Sequence, residues 1–280
     1  MKKARSLLAL IGLFIFCIMP QSAVADEVYP GEEMFLFQLG YFLPSFDTKL
    51  RVDNANGTIG DEVNLEDDLG FKHETTTIMG NATWRMSPRN RLSLGYFGFH
   101  RGSDHVLNKD ITIGDNTYAA GATVSSAIDF TVIPISYSFS FIKTDEWEFA
   151  GTFGLQWSTI TFDANGSATV GGAGGAAHAR ADAVAPLPLI GLDLTYYIFP
   201  EWSVGGNIGV FSYKVAASNM DFQGNIATAN VNTDWWFSNY VGAGLAVNWF
   251  SFDVDVEGAK WKGSFNYQYL GPQIYLTGRF

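Results

Sequence analysis

From Trp147 to Ser158 the chain alternates with a period of two. Trp147, Phe149, Gly151, Phe153, Leu155 and Trp157 fall on one side, and Glu148, Ala150, Thr152, Gly154, Gln156 and Ser158 on the other. Successive side chains of an extended strand point to opposite faces, so this segment is a strand set between two unlike environments. One environment is apolar and bordered by tryptophan. The other has room only for small, mostly polar groups. The same alternation recurs to Phe280, and 30 glycines among 280 residues argue against a helical protein and suit tightly curved strands.

Read in the same way, strands are expected over residues 34–43, 76–86, 91–100, 128–142, 147–158, 188–198, 202–213, 239–248 and 250–257, with a tenth ending at Phe280. An ordered hairpin inside the first long connection would raise the number to twelve. The connections alternate in length. Ser87-Pro88-Arg89-Asn90, residues 143–146 and Phe199-Pro200-Glu201 are tight turns, whereas residues 44–75, 101–127, 159–187 and 214–238 are long and polar or glycine-rich.

The first 25 residues have the three parts of a secretory leader: Lys2, Lys3 and Arg5, an apolar run from Leu7 to Met19, and Ala23-Val24-Ala25 before Asp26. The expected domains are therefore a signal peptide over 1–25 and one strand domain over 26–280. Cys17, the only cysteine, lies in the leader, which leaves the mature chain without disulfides or thiol ligands. Cleavage removes three of the 17 basic residues and none of the 28 acidic ones, taking the net charge from −11 to −14 and making nucleic acid an unsuitable partner.

Alternation does not say which face is dry. A soluble barrel or sandwich needs an outer face rich in Lys, Glu and Asp. Here the polar face is Gly, Ser, Thr, Asn and Gln, while the apolar face is flanked by Tyr41, Trp84, Trp147, Trp157 and Trp202. Lipid outside, a crowded lumen inside and aromatic girdles at two interfaces account for that pattern. The fold class that follows is all-β: a transmembrane, antiparallel up-and-down barrel of about ten strands, closed because an unpaired sheet edge is intolerable in lipid.

The last eight residues, from Gln273 to Phe280, resemble the closing strand of bacterial outer-membrane proteins, with Ile274, Leu276 and Phe280 at alternate positions and Gly278 where an aromatic is usual. By pattern the whole mature chain resembles the small and medium outer-membrane barrels of Gram-negative bacteria. That resemblance implies the cell outer membrane as location, its lipid and lipopolysaccharide as surroundings, and the barrel assembly machinery as a partner recognising the strand that ends in Phe280.

Catalytic, cofactor and metal residues are expected to be absent, after three candidates are weighed. His73, His100, His105 and His178 have no metal-ligand spacing. His100-Arg101-Gly102-Ser103-Asp104-His105 gathers acid, base and hydroxyl and would suit hydrolysis at the rim, but sequence neighbours seldom form a triad. Asp61, Glu62, Glu66, Asp67 and Asp68 are hard-oxygen ligands suited to calcium or to bridging lipopolysaccharide phosphates through divalent ions, without the spacing of a dedicated calcium loop. The glycine-rich stretch around Gly171 to Gly175 reads as a surface loop.

Charges in strands are the more physical lead. Arg85, Glu148, Asp193, Asp253, Asp255, Glu257 and Arg279 are expected to face the lumen, since an Arg or Lys facing mid-bilayer costs about 2 to 4 kcal/mol. Asp253, Asp255 and Glu257 alternate with Phe252, Val254 and Val256 and would form an acidic lumenal stripe near Arg279. A barrel of about ten strands is narrow enough for side chains to fill. The reading favoured is a narrow or closed barrel with its function in external loops. A small cation-preferring channel is the alternative, and an outer-membrane lipid hydrolase the second.

Overall fold

The computed structural model describes residues 31–53, 60–113, 116–170, 173–217, 220–258 and 262–280. The proposed leader lies outside them. Ten strands close a ring: β1 (Phe35–Phe42), β4 (Thr77–Ser87), β5 (Asn90–Val106), β8 (Thr123–Lys143), β9 (Trp147–Val170), β10 (Ala173–Phe199), β11 (Trp202–Ala217), β12 (Met220–Trp236), β13 (Val241–Gly258) and β14 (Lys262–Arg279), the last pairing with β1. Every neighbour is antiparallel. Four short strands, β2 (Ser45–Val52), β3 (Glu62–Asn64), β6 (Ile111–Ile113) and β7 (Asn116–Tyr118), extend the wall beyond the ring.

The ring closes by Leu36↔Arg279 through Phe42↔Gln273, and Phe35 and Phe280 exchange backbone hydrogen bonds of 2.9 Å. Past Phe42 the chain breaks at Leu43-Pro44 and resumes as β2 along the same edge of β14, from Leu270↔Ser45 to Gly263↔Val52. Glycine is needed opposite the break, because a Cβ on Gly271 would lie 2.4 Å from the Leu43 carbonyl oxygen. The first external segment thus supplies an ordered hairpin, β2–β3, without adding to the ten.

The count of ten arises from two expectations that fail in opposite directions. Residues 239–248 and 250–257 are one strand, β13, and residues 214–238, expected as a loop, contain β12. The third expected loop is also strand: β9 and β10 pair from Tyr196↔Trp147 to Ala173↔Val170. Three of the four expected tight turns stand, each with a bulge beside it at Arg85/Ser87, Ser140/Ile142 or Tyr197/Phe199, whereas the fourth, expected at Trp249, lies inside β13 and is replaced by a turn over Phe237 to Tyr240. All four turns lie at the end that carries Phe35 and Phe280, here the turn end.

Toward the turn end the expected faces hold. Phe37, Leu39, Leu94, Phe153, Leu192, Ile208, Leu245 and Leu276 are exposed on the outside, with Phe35, Trp84, Trp147, Trp235 and Phe280 at the rim and Tyr41, Tyr96, Trp157 and Trp249 higher up. Nearer the opposite, loop end the pattern inverts. Phe42, Phe46, Phe97, Phe99, Phe130, Val132, Leu187, Ile226, Phe250, Phe252, Tyr267 and Tyr269 turn inward and pack as one core. Phe130 and Tyr267 stack at 5.0 Å, and Phe250 and Tyr269 at 5.2 Å. Above it a second core joins Val63, Leu65, Leu69 and Phe71 of the first external segment to Leu107, Ile111 and Tyr118 and to Val124, Ile128 and Phe162 of the wall.

Candidate functional site

The lumen has three storeys. At the turn end a charge network spans it. Arg85 of β4 donates to both carboxylate oxygens of Glu148 of β9, at 2.9 and 3.0 Å, across two intervening strands. Ser140 donates to the same carboxylate at 2.5 Å and Tyr197 at 3.3 Å, while Arg91 lies 3.5 Å away and Lys143 3.8 Å away. Glu33 approaches Arg85 at 3.6 Å, and Lys143 donates to the Gly31 carbonyl, so the segment leading into β1 is drawn under the barrel. A bidentate, hydrogen-bonded pair of this kind holds its geometry, and losing one partner would strand a buried charge.

The middle storey is a cavity of about 400 Å3. Its wall carries a carboxamide belt in which Asn230 donates to Asn248 at 2.7 Å and Asn248 to Gln273 at 3.0 Å. Asn81 reaches Gln38 at 3.5 Å, and Thr83 and Ser93 continue the belt at 2.9 Å. On the far side Asp193 accepts hydrogen bonds from Thr152 and, at 3.1 Å, from Ser138, with Arg91 4.0 Å away. Met79, Phe97 and Tyr269, from the aromatic core, also line the cavity.

The top storey is that core, anchored by a second ion pair. Arg101 of β5 and Glu66 of the external segment meet at 2.5 Å; Glu66 also accepts from the Thr48 amide at 2.8 Å and hydroxyl at 3.0 Å. Arg101 donates to the Lys72 carbonyl at 2.7 Å and lies 4.5 Å over the Phe46 ring. The first external segment is therefore folded into the mouth of the barrel.

Arg85, Glu148, Asp193 and Arg279 face inward as expected, but Arg279 stacks on Trp236 at 4.2 Å and donates to the Asn239 carbonyl at the turn end. Asp253, Asp255 and Glu257 are a correction. They stand on the outside of β13 at the loop end, far along the barrel from Arg279, with Asp253 bonded to Asn266 and Glu257 to Lys262 at 2.6 Å. Phe252, of the opposite parity, is the buried one. Outward carboxylates at this level suit water rather than lipid around the wall.

The histidine-rich segment is divided by the strand it belongs to. His100 and Asp104 point out, to Asp129 at 2.7 Å and to Ser125, whereas Arg101 points in, so no triad assembles there. The acidic loop is likewise divided: Glu66 holds Arg101, Asp68 holds Lys109 at 2.8 Å, Asp61 caps the Thr112 amide at 2.8 Å and Asp67 lies 3.9 Å from His73. Among the described residues no three His, Cys, Asp or Glu side chains gather as metal ligands, and the stretch around Gly171 lies partly outside them. The sequence reading missed Glu33, Lys143, Tyr197 and the Glu66–Arg101 pair. Arg91 was legible, since it shares the parity of Ser93 and Gly95.

The fold is that of the Gram-negative outer-membrane β-barrels. Among solved structures the chain is similar to the outer membrane protease OmpT from Escherichia coli, at 12% identity and a TM-score of 0.60, over 92% of this chain and 100% of that one. It also matches the outer membrane protein OprG from Pseudomonas aeruginosa, at 10% identity and a TM-score of 0.40, over 88% and 95% of the two chains. No protein-family model and no curated protein matches the sequence.

Proposed function

We propose that this protein is a closed, non-conducting barrel of the outer membrane, delivered by a cleaved leader and assembled through its last strand. Its work is done by the wall that rises outside the membrane rather than by solute passage. The observation that carries this reading is the double closure of the lumen: the Arg85–Glu148 tie at the turn end, and at the loop end twelve core residues beneath an external segment pinned by Arg101 and Glu66. In this reading the turn end is periplasmic, and lipopolysaccharide surrounds the barrel above Tyr96 and Trp249. The acidic stripe contributes no cation filter, because it lies outside the lumen. No catalytic role is proposed, because the one acid, base and hydroxyl cluster of the sequence is split between two faces.

Single-channel recording of the refolded protein in planar bilayers tests this. A flat baseline over a wide voltage range is expected, and ohmic steps would overturn the closed reading in favour of a small channel. Fractionation with outer membranes, with resistance to carbonate extraction, is expected alongside.

A further inference from the structure

Between β10 and β11 the wall of the barrel has a seam. β10 and β11 pair from Phe199↔Trp202 to Ile190↔Val210, and there the ladder ends. Both strands continue, β10 to Ala173 on the arm of β9 and β11 to Ala217 on the arm of β12. The cause is in the sequence. Continued in register, the next residues of β10 to face β11 would be Pro188, opposite Ser212, and Pro186, opposite Lys214. Both prolines stay in register with β9, opposite Leu155 and Trp157, so the hydrogen-bond donors they lack are those directed at β11. A single proline does not suffice: at Pro134 the β5–β8 ladder skips from Leu94↔Ile135 to Phe97↔Val132 and then resumes. Two in alternate positions remove consecutive donors, and the strands part.

The seam opens at the upper limit of the lipid-facing band and beside the cavity. Outside, Ile190, Ile208 and Val210 are exposed and apolar, and Trp157 stands opposite Pro186. Inside, the threshold is Leu189 and Gly209, and a Cβ on Gly209 would sit 3.6 Å from Leu189 and 2.9 Å from Thr228, which leads to the Asn230–Asn248 belt. Polar groups of both signs wait within. Arg91 and Asp193 line the cavity, and the buried Oε1 of Gln156 has no hydrogen-bond partner.

We propose that the cavity binds the head of a single-chain zwitterionic amphiphile that enters from the outer leaflet between β10 and β11, its acyl chain remaining in the seam against Ile190 and Val210. An anionic phosphate suits Arg91, and an ammonium donor suits Asp193 and the Gln156 oxygen. A polar chamber shut at both ends, with an unpaired stretch of wall beside it at lipid level, fits a molecule with one polar and one apolar end better than a soluble polar solute, for which the lipid-level flank is no route, or an oil, for which the amide belt is no surface. The inference uses the closure argued above but does not depend on conductance.

The probe is lysophosphatidylethanolamine added to the deuterated, refolded protein in nanodiscs. Intermolecular NOEs from the ethanolamine methylenes to the side-chain amides of Gln156, Asn230 and Asn248 are expected. The double variant Pro188→Cys, Ser212→Cys should be locked across the seam by oxidation, with the NOE intensities falling at least tenfold and returning on reduction. Pro186→Thr with Pro188→Thr restores the missing donors and should lower them similarly without a disulfide. Absence of NOEs in the parent protein, or NOEs equal in the open and locked states, would overturn the proposal. Conductance of the same samples reports separately on closure: ohmic steps would sink the closed reading and leave the NOE result to stand or fall by itself.

Discussion

The two ends of this barrel obey opposite rules along the same strands. In β13, Leu245 and Val247 face lipid while Ala246 fills the lumen; a few residues on, Phe250 and Phe252 face in while Asp253, Asp255 and Glu257 face out. In β5, Leu94 and Tyr96 point out and Phe97 and Phe99 point in. In β14 the outward Leu270, Ile274 and Leu276 give way to the inward Tyr269 and Tyr267. The backbone has no break at these places. What changes is the solvent: where lipid surrounds the wall the apolar side is outside, and where water surrounds it the apolar side is inside. A membrane barrel and a soluble β-core are thus stacked on one set of strands.

The largest test of that comparison is to remove a pillar of the upper core. Tyr267→Ala should cost about 3 to 5 kcal/mol, as large-to-small changes of buried aromatics do, whereas Leu276→Ala on the lipid face of the same strand should cost much less. Thermal unfolding in detergent, followed by the mobility difference between heated and unheated samples, measures both. Equal losses would mean that the aromatic cluster is no packed core.

Next is the charge test along one face of β13. Leu245→Arg places a guanidinium in the lipid-facing band and should cost about 2 to 4 kcal/mol of folding into vesicles. Asp255→Arg has the same parity higher up and should lie within about 0.5 kcal/mol of the parent. If both variants fold equally well, the boundary between the two rules has been drawn in the wrong place.

The smallest expected effect concerns the acids themselves. Lys262, hydrogen-bonded to Glu257, holds its carboxyl below the ordinary carboxylate range. A carboxylate lowered in the folded state adds stability that is complete above its ordinary pKa and fades only as pH falls through the lowered one. Melting should therefore be unchanged between pH 7 and about 5, and Asp253→Asn, Asp255→Asn, Glu257→Gln should melt like the parent. A marked loss in either measurement would return the stripe to the lumen.

The count of ten strands agrees because dividing β13 offsets the unread β12; the sequence by itself determined the class of fold, three of the four tight turns, the girdle aromatics and the inward placing of Arg85, Glu148 and Asp193. These follow from parity within one strand in one solvent, which is local information. Only the tertiary structure decided where the solvent changes. The phase reversal at Trp249-Phe250 reads in sequence as a turn, and the run of Asn, Thr, Asp and Gln in β12 reads as a loop, because without neighbours neither segment shows what surrounds it. The cross-lumen tie of Arg85 to Glu148, the docking of Glu66 on Arg101 and the seam at Pro186 and Pro188 depend on which strands become neighbours. That is fixed by ring closure, and no residue encodes it alone.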